Sequence, residues 1–183
     1  MDRILRTPAK LEDILDLEAG DFVSLSGRIY TARDKAHAAI RERGAPVDLV
    51  GSAIYHCGPI MQDGRVICAG PTTSSRLTRY TEEMLDRGVR IFIGKGGLPG
   101  DSGLIRGRAV YLAYTGGCGA AAARQLKAVR SHLPDLGMAE AVWELEAIDM
   151  GPMIVAMDAH GRDIYEEVRS SVRTRLAGKT DSD

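Results

Sequence analysis

A chain of 183 residues with 44% apolar and 27% charged residues is long enough for one well-filled core and has ordinary globular composition. Its 24 basic and 25 acidic residues leave a formal net charge of -1, which gives no electrostatic footprint for nucleic acid or an anionic membrane. Three cysteines, Cys57, Cys68 and Cys118, are too few and too widely spaced for a secreted disulfide scaffold, and Met1-Asp2-Arg3 lacks the basic-then-apolar order of a signal peptide. The weakly apolar stretch Ala109 to Ala123 is broken by Gly116, Gly117 and Gly119 and is too short to span a bilayer, so a cytoplasmic chain is expected.

In chain order, residues 22–30 have the β-branched, aromatic and alternating character of a strand, and 34–43 read as a helix stopped by Gly44. Ala53-Ile54-Tyr55 and Val66-Ile67-Cys68-Ala69 read as strands, each running into a Gly-Pro pair. Thr72-Thr73-Ser74-Ser75 supply capping side chains for a helix that buries Leu77, Tyr80, Met84 and Leu85 and ends at Gly88. Strands follow at 90–93 and 110–114, a helix at 120–129, two further strands at 141–148 and 153–157, and a last helix with Ile164, Tyr165, Val168, Val172 and Leu176 on one side. The pattern predicts one α/β domain over residues 1–177, with a frayed polar tail at 178–183. Its loops at strand ends are where such sheets hold ligands.

Three segments carry candidate chemistry. At Ala69-Gly70-Pro71-Thr72-Thr73-Ser74-Ser75-Arg76 a strand ends, the backbone turns, and hydroxyls precede a guanidinium, which outlines a carboxylate site. The same residues also fit plain helix capping with a solvated Arg76. Gly94-Lys95-Gly96-Gly97 matches neither a phosphate loop nor a dinucleotide fingerprint and leaves one ammonium on a loop open to a ligand, or a mobile turn. Arg33-Asp34-x-x-His37 follows a strand, with Asp34 as a candidate N-cap and Arg33 either at the ligand edge or paired to a carboxylate. His56, His132 and His160 lack His-x-x-x-His or Cys-x-x-Cys spacing, so no metal ligand is assigned in this chain.

Taken together, several blocks resemble the β subunit, or C-terminal domain, of class I fumarate hydratases and L(+)-tartrate dehydratases. The blocks are Ser26-Gly27 with Thr31-Ala32-Arg33-Asp34 and Ala36-His37; Tyr55-His56-Cys57-Gly58-Pro59; Ala69 to Arg76; Gly94-Lys95-Gly96; Gly116-Gly117-Cys118; and Leu136-Gly137-Met138-Ala139-Glu140-Ala141-Val142-Trp143. They cover nearly the whole chain, and the Gly-Pro-Thr-Thr-x-x-Arg and Gly-Met-x-Glu-Ala-Val-Trp blocks are the specific ones.

The resemblance implies a swivelling β/β/α three-layer domain working with a larger α subunit, in an α2β2 assembly. That subunit carries the 4Fe-4S cluster on its own three cysteines, and the open iron acts as a Lewis acid on the leaving hydroxyl. By motif, Thr72 matches the catalytic base, Arg76 and Lys95 the groups binding a C4 dicarboxylate, and Arg33 a further substrate contact. Thr73 would either act in place of Thr72 or position it, and with Asp34, His37, Gly94 and Gly96 would shape the site. The implied reaction is the reversible hydration of fumarate to L-malate, with dehydration of L(+)-tartrate to oxaloacetate as the alternative. A non-catalytic swivelling domain that binds an anion or a protein is the reading from another class. An unperturbed threonine hydroxyl is too weakly acidic to ionise at neutral pH, so the base role needs nearby positive charge.

Overall fold

The computed structural model of the chain describes residues 3–180. It opens with β1 (Arg3–Thr7), α1 (Leu11–Leu15), β2 (Phe22–Thr31), α2 (Asp34–Arg43), β3 (Ala53–Tyr55), β4 (Ile60–Gln62) and β5 (Arg65–Cys68). A 3-10 turn at Ser74–Tyr80 runs into α3 (Thr81–Asp86), followed by β6 (Ile91–Gly94), α4 (Ser102–Ile105) and β7 (Val110–Ala113). The chain continues through α5 (Gly119–Arg124), β8 (Leu126–His132), β9 (Val142–Met157) and α6 (Ile164–Thr180).

Seven strands form one mixed sheet in the order β1-β2-β3-β6-β7-β9-β8, in which β1, β2, β3, β6 and β7 run parallel. The 16-residue β9 lies antiparallel to β7 at its C-terminal end and to β2 along most of its length, so the sheet closes on itself into a small barrel. Gly151 is required where β9 crosses β2, because a Cβ there would lie 2.8 Å from the Val23 carbonyl oxygen. The β4–β5 hairpin stands apart from this sheet.

Alternation along the central strands fills two cores. Ile91, Ile93, Val110 and Leu112 point into the barrel, where they meet Leu25, Ile29, Leu145 and Val155. Phe92 and Tyr111 point outward, onto a layer made by Ala36, Ile40, Met84 and Ile105 from the helices. Burying such an aliphatic or aromatic side chain is worth about 1.5–3 kcal/mol, and β6 buries all four of its residues. Strands read from unbroken apolar runs are therefore those covered on both faces.

Several expectations need correction. The helix expected over 120–129 stops at Arg124, and Leu126–His132 is a strand, because pairing with β9 overrides the helical propensity of its alanines. The two strands expected at 141–148 and 153–157 are one continuous strand. The segment after Thr73 is a 3-10 turn before it becomes α-helical, and no hydroxyl of Thr72 to Ser75 caps it. Asp34 is not an N-cap; that position is Arg33, and the Asp34 carboxylate turns to Arg76. The last helix packs through its first turn only, leaving Val168, Val172 and Leu176 56%, 48% and 61% exposed. Of the tail expected to fray at 178–183, α6 includes residues 178–180, and residues 181–183 lie outside the described residues. No helix among the described residues is long and apolar enough to cross a membrane.

Candidate active site

Because β2, β3, β6 and β7 are parallel, their carboxyl ends deliver four loops to one edge: Arg33-Asp34 after β2, His56 after β3, Lys95 after β6 and Gly116 after β7. The chain leaves this edge through the β4–β5 hairpin and is led back to it. The Ala69 N–H donates to the Gly119 carbonyl at 2.9 Å, the Tyr55 hydroxyl donates to the Ala69 carbonyl, and Cys57 bridges Pro71. Thr72 thus arrives beside His56.

From there the returning segment adds a short parallel strand to the Lys95 loop. The Thr72 N–H donates to the His56 carbonyl at 2.7 Å, the Lys95 N–H to the Thr72 carbonyl at 3.3 Å, and the Ser74 N–H to the Lys95 carbonyl at 2.9 Å. Thr73 and Lys95 are the paired residues of this bridge, so their side chains share one face. The Thr72 hydroxyl donates to the His56 carbonyl at 3.1 Å, which leaves its lone pairs free. The Lys95 stem runs over Gly116, where an added Cβ would meet Cδ at 3.5 Å and Nζ at 3.8 Å. Among the described residues no carboxylate is paired with Lys95. Gly96 has a φ of +83°, which favours glycine, and Gly94 has no room for a Cβ, which would overlap the Ser74 hydroxyl and sit 3.2 Å from His56 Nδ1.

The two arginines stand on the adjoining loops. Arg33 Nε lies 3.4 Å from Glu140 Oε1, is buried, and makes no hydrogen bond of its own. Its guanidinium packs on Gly58, where a Cβ would come within 2.7 Å of Nη1. The other Glu140 oxygen accepts the Lys35 N–H at 2.9 Å. Arg76 Nη2 lies 3.4 Å from Asp34 Oδ2 in a largely exposed pair. A carboxylate ligand could therefore compete for Arg76 at little cost.

His37 does not reach this edge. It lies on the buried side of α2, its Nδ1 2.9 Å from the Arg33 carbonyl oxygen and its ring stacked on Tyr80, whose other contacts include the guanidinium groups of Arg41 and Arg79. Burial pushes the His37 imidazole down to about 4, and it pushes that of His56 well below its ordinary value, with His37 nearby adding to the effect. Both rings are neutral at pH 7.

Thr72, Thr73, Gly94, Lys95 and Gly96 are thus in one contact network, with Arg33, Asp34 and Arg76 on neighbouring loops. The sequence reading passed over His56, Gly58, Ser74, Tyr111 and Glu140. Glu140 and Gly58 lie inside recognised blocks and could have been suspected, whereas nothing local marks Tyr111, a strand residue in an apolar run. No group of three or more His, Cys, Asp or Glu side chains among the described residues is placed to hold a metal ion. Burial pushes the Cys57 thiol up to about 12, the opposite of what a thiolate ligand needs. The three cysteines do not fit an iron-sulfur cluster.

The edge is a shelf. Ser75, Arg76, Lys95, Gly96, Gly116 and Gly117 are all exposed, and a cleft of about 430 Å³ between β1 and α1 shares no residue with it.

The profile of the family described as "Fumarase C-terminus" matches residues 3–168. A relative from Methanocaldococcus jannaschii, provisionally named an L(+)-tartrate dehydratase β subunit, is 44% identical over 90% of this chain and 92% of its own. The L(+)-tartrate dehydratase β subunit of Escherichia coli is 36% identical over 91% of this chain and 88% of its own. A protein of Geobacillus stearothermophilus, provisionally named a class I fumarate hydratase, is 37% identical over 94% of this chain but only 35% of its own length. On a match over residues 3–168 and relatives 36–44% identical over most of its length, the chain belongs to the fumarase C-terminus family, whose members here are named as tartrate dehydratase β subunits and a class I fumarate hydratase.

Proposed function

We propose that this chain is the β subunit of a two-subunit hydro-lyase that adds water to fumarate and removes it from L-malate, and that its site is the shelf carrying Lys95, Arg76, Arg33 and Thr72. What supports the reading is that three segments at one edge each carry a cation, Arg33 before α2, Arg76 in the 3-10 turn and Lys95 after β6, with Arg76 and Lys95 exposed, which suits a substrate with two carboxylates. An open shelf does not exclude water by itself, so a second surface is needed to close it. An α partner fits that need, as does the relative in which the matched portion is about a third of a longer chain.

In this reading Lys95 and Arg76 hold the carboxylates, and Arg33, kept in place by Glu140 and Gly58, adds a third contact. Elimination removes the proton next to one carboxylate, and the fixed cations stabilise the charge that develops there. Thr72 receives that proton as the base. Its own hydroxyl proton rests on the His56 carbonyl, so the side chain must first turn off that carbonyl and give this proton to solvent at the exposed edge, an ionisation that the neighbouring cations favour. The alkoxide then takes the substrate proton as the C–O bond breaks and the hydroxyl departs as hydroxide, to be protonated to water. Thr73, on the Lys95 face, and Asp34, on Arg76, shape the shelf with Gly94 and Gly96; His37 supports the loop from below. A 4Fe-4S cluster is assigned to the α subunit, since the cysteines here do not fit one.

We further assign the closed sheet and its helical layer, as one domain over residues 1–177, to a swivelling β/β/α arrangement in a cytoplasmic α2β2 enzyme. Dehydration of L(+)-tartrate to oxaloacetate is the second reading, favoured by the names of the Methanocaldococcus and Escherichia relatives. The test is kcat/KM of the reconstituted two-chain enzyme for L-malate, fumarate and L(+)-tartrate. Preference for malate and fumarate supports the first reading and preference for tartrate the second. No turnover of either by a cluster-loaded complex contradicts both and favours a binding domain.

A further inference from the structure

We propose that Ser74 and Tyr111 are positioning residues that lock the Lys95 loop to the Thr72 strand through a hydrogen-bond chain that joins Gly97 to His56. The inference rests on the reading that Lys95 and Thr72 meet the substrate.

The chain has four members in contact. The Gly97 N–H donates to the Tyr111 hydroxyl oxygen at 3.3 Å. That hydroxyl is hydrogen-bonded to Ser74 Oγ at 2.9 Å. Ser74 Oγ is in turn hydrogen-bonded to His56 Nδ1 at 2.8 Å. Each hydroxyl is thus held between two partners, and the far end of the chain is a neutral imidazole.

His56 therefore holds both halves of the site. Its ring takes Ser74, and its carbonyl takes both the N–H and the hydroxyl of Thr72. Ser74 in turn gives its N–H to the Lys95 carbonyl, while Tyr111 fixes Gly97 two residues beyond Lys95. Without the chain, the Lys95 loop is held to the Thr72 strand by two backbone hydrogen bonds, one of them 3.3 Å long, on a segment with positive φ at Gly96 and Gly97.

Burial supports a dedicated role. His56, Ser74 and Tyr111 are all enclosed, and Gly94 leaves them no spare volume. Phenylalanine would fill the outer core at 111 as well as tyrosine does, so the hydroxyl serves the loops rather than the packing. A displacement near 1 Å at a positioned cation costs on the order of 100-fold in rate.

The experiment uses the reconstituted two-chain enzyme carrying Tyr111→Phe, Ser74→Ala, both together, or Lys95→Met. We measure kcat and KM for fumarate, the thermal midpoint, and amide exchange at Lys95 and Gly97. Each single variant is expected to lower kcat roughly 10-fold with a smaller rise in KM. The double variant should be no worse than the more damaging single, because both break one chain. Exchange at Lys95 and Gly97 should quicken about tenfold even in a variant too slow to assay. Losses that multiply in the double variant overturn the proposal, as does a kcat within twofold of the parent in both singles. If Lys95→Met turns over normally, the underlying site assignment falls and the proposal with it. If Lys95→Met is inactive while Ser74→Ala and Tyr111→Phe behave as the parent, only the positioning chain is wrong.

Discussion

Thr72 gives its backbone N–H and its hydroxyl to the same acceptor, the carbonyl oxygen of His56, at 2.7 and 3.1 Å. The hydroxyl therefore rests on a backbone carbonyl, which it must leave to act on a substrate. Thr72→Ser keeps the group and is expected to retain activity within about tenfold, whereas Thr72→Val, of similar shape, should lose on the order of 100-fold or more in kcat. Steady-state kinetics of the assembled enzyme check this. Equal rates for the parent and the valine variant would take Thr72 out of the reaction.

Arg76 pairs with Asp34 at 3.4 Å, but its side chain is 48% exposed, so the pair adds little to folding. Arg76→Ala should leave the thermal midpoint nearly unchanged and abolish turnover. Melting and kinetics on one preparation separate the two effects. Turnover close to normal would refute the role in substrate binding.

Gly58 holds space for Arg33. A Cβ at this position would approach both Arg33 Nη1 and the Ala139 carbonyl oxygen to 2.7 Å, and the backbone oxygen cannot yield as a flexible side chain can. Gly58→Ala is thus expected to push the Arg33 guanidinium off its place beside Glu140 and raise the KM for dicarboxylate roughly tenfold, with a smaller fall in kcat. An unchanged KM would show that Arg33 has no contact with substrate.

The buried histidines tie stability to pH. In the unfolded chain His37 titrates near 6.5, and in the fold burial lowers this to about 4. Its contribution is therefore fully present above pH 6.5 and is lost as pH falls toward 4, because the unfolded state takes up the proton first. The full effect is about 3 kcal/mol, and His56, depressed in the same direction, adds to it. Denaturant melts from pH 7.5 to 4.5 should show stability flat above 6.5 and falling below it. His37→Gln should flatten the lower limb, and an unaltered slope in that variant would show that His37 is not its source.

Much of the fold is legible in the sequence where burial is symmetrical. The apolar runs at 53–55, 91–94 and 110–113 are strands covered on both faces, and the Asp34–Arg43 helix ends at Gly44 as its C-terminal glycine signals. What was not legible depends on partners distant in sequence. Leu126–His132 becomes a strand because β9 lies beside it, and the apolar side of α6 is left exposed because no other part of the described chain covers it. The site divides in the same way. Thr72 and Lys95 stand in short blocks beside glycines, and Arg33 and Arg76 in segments that follow strand ends, where loop chemistry shows itself. Ser74 and Tyr111 meet only after the hairpin brings residues 72–74 back against β6, so no local pattern could pair them.

The central claim is that this chain completes a dicarboxylate hydro-lyase site that neither subunit forms alone. It is tested most directly by following the ultraviolet absorbance of fumarate with anaerobic, cluster-loaded α subunit alone, this chain alone, and the two mixed, with L(+)-tartrate in parallel. The account predicts turnover of one of these substrates only in the mixture, saturating as the two chains reach equal amounts. Full turnover by the α subunit without this chain, or none in a mixture with its cluster intact, would contradict it.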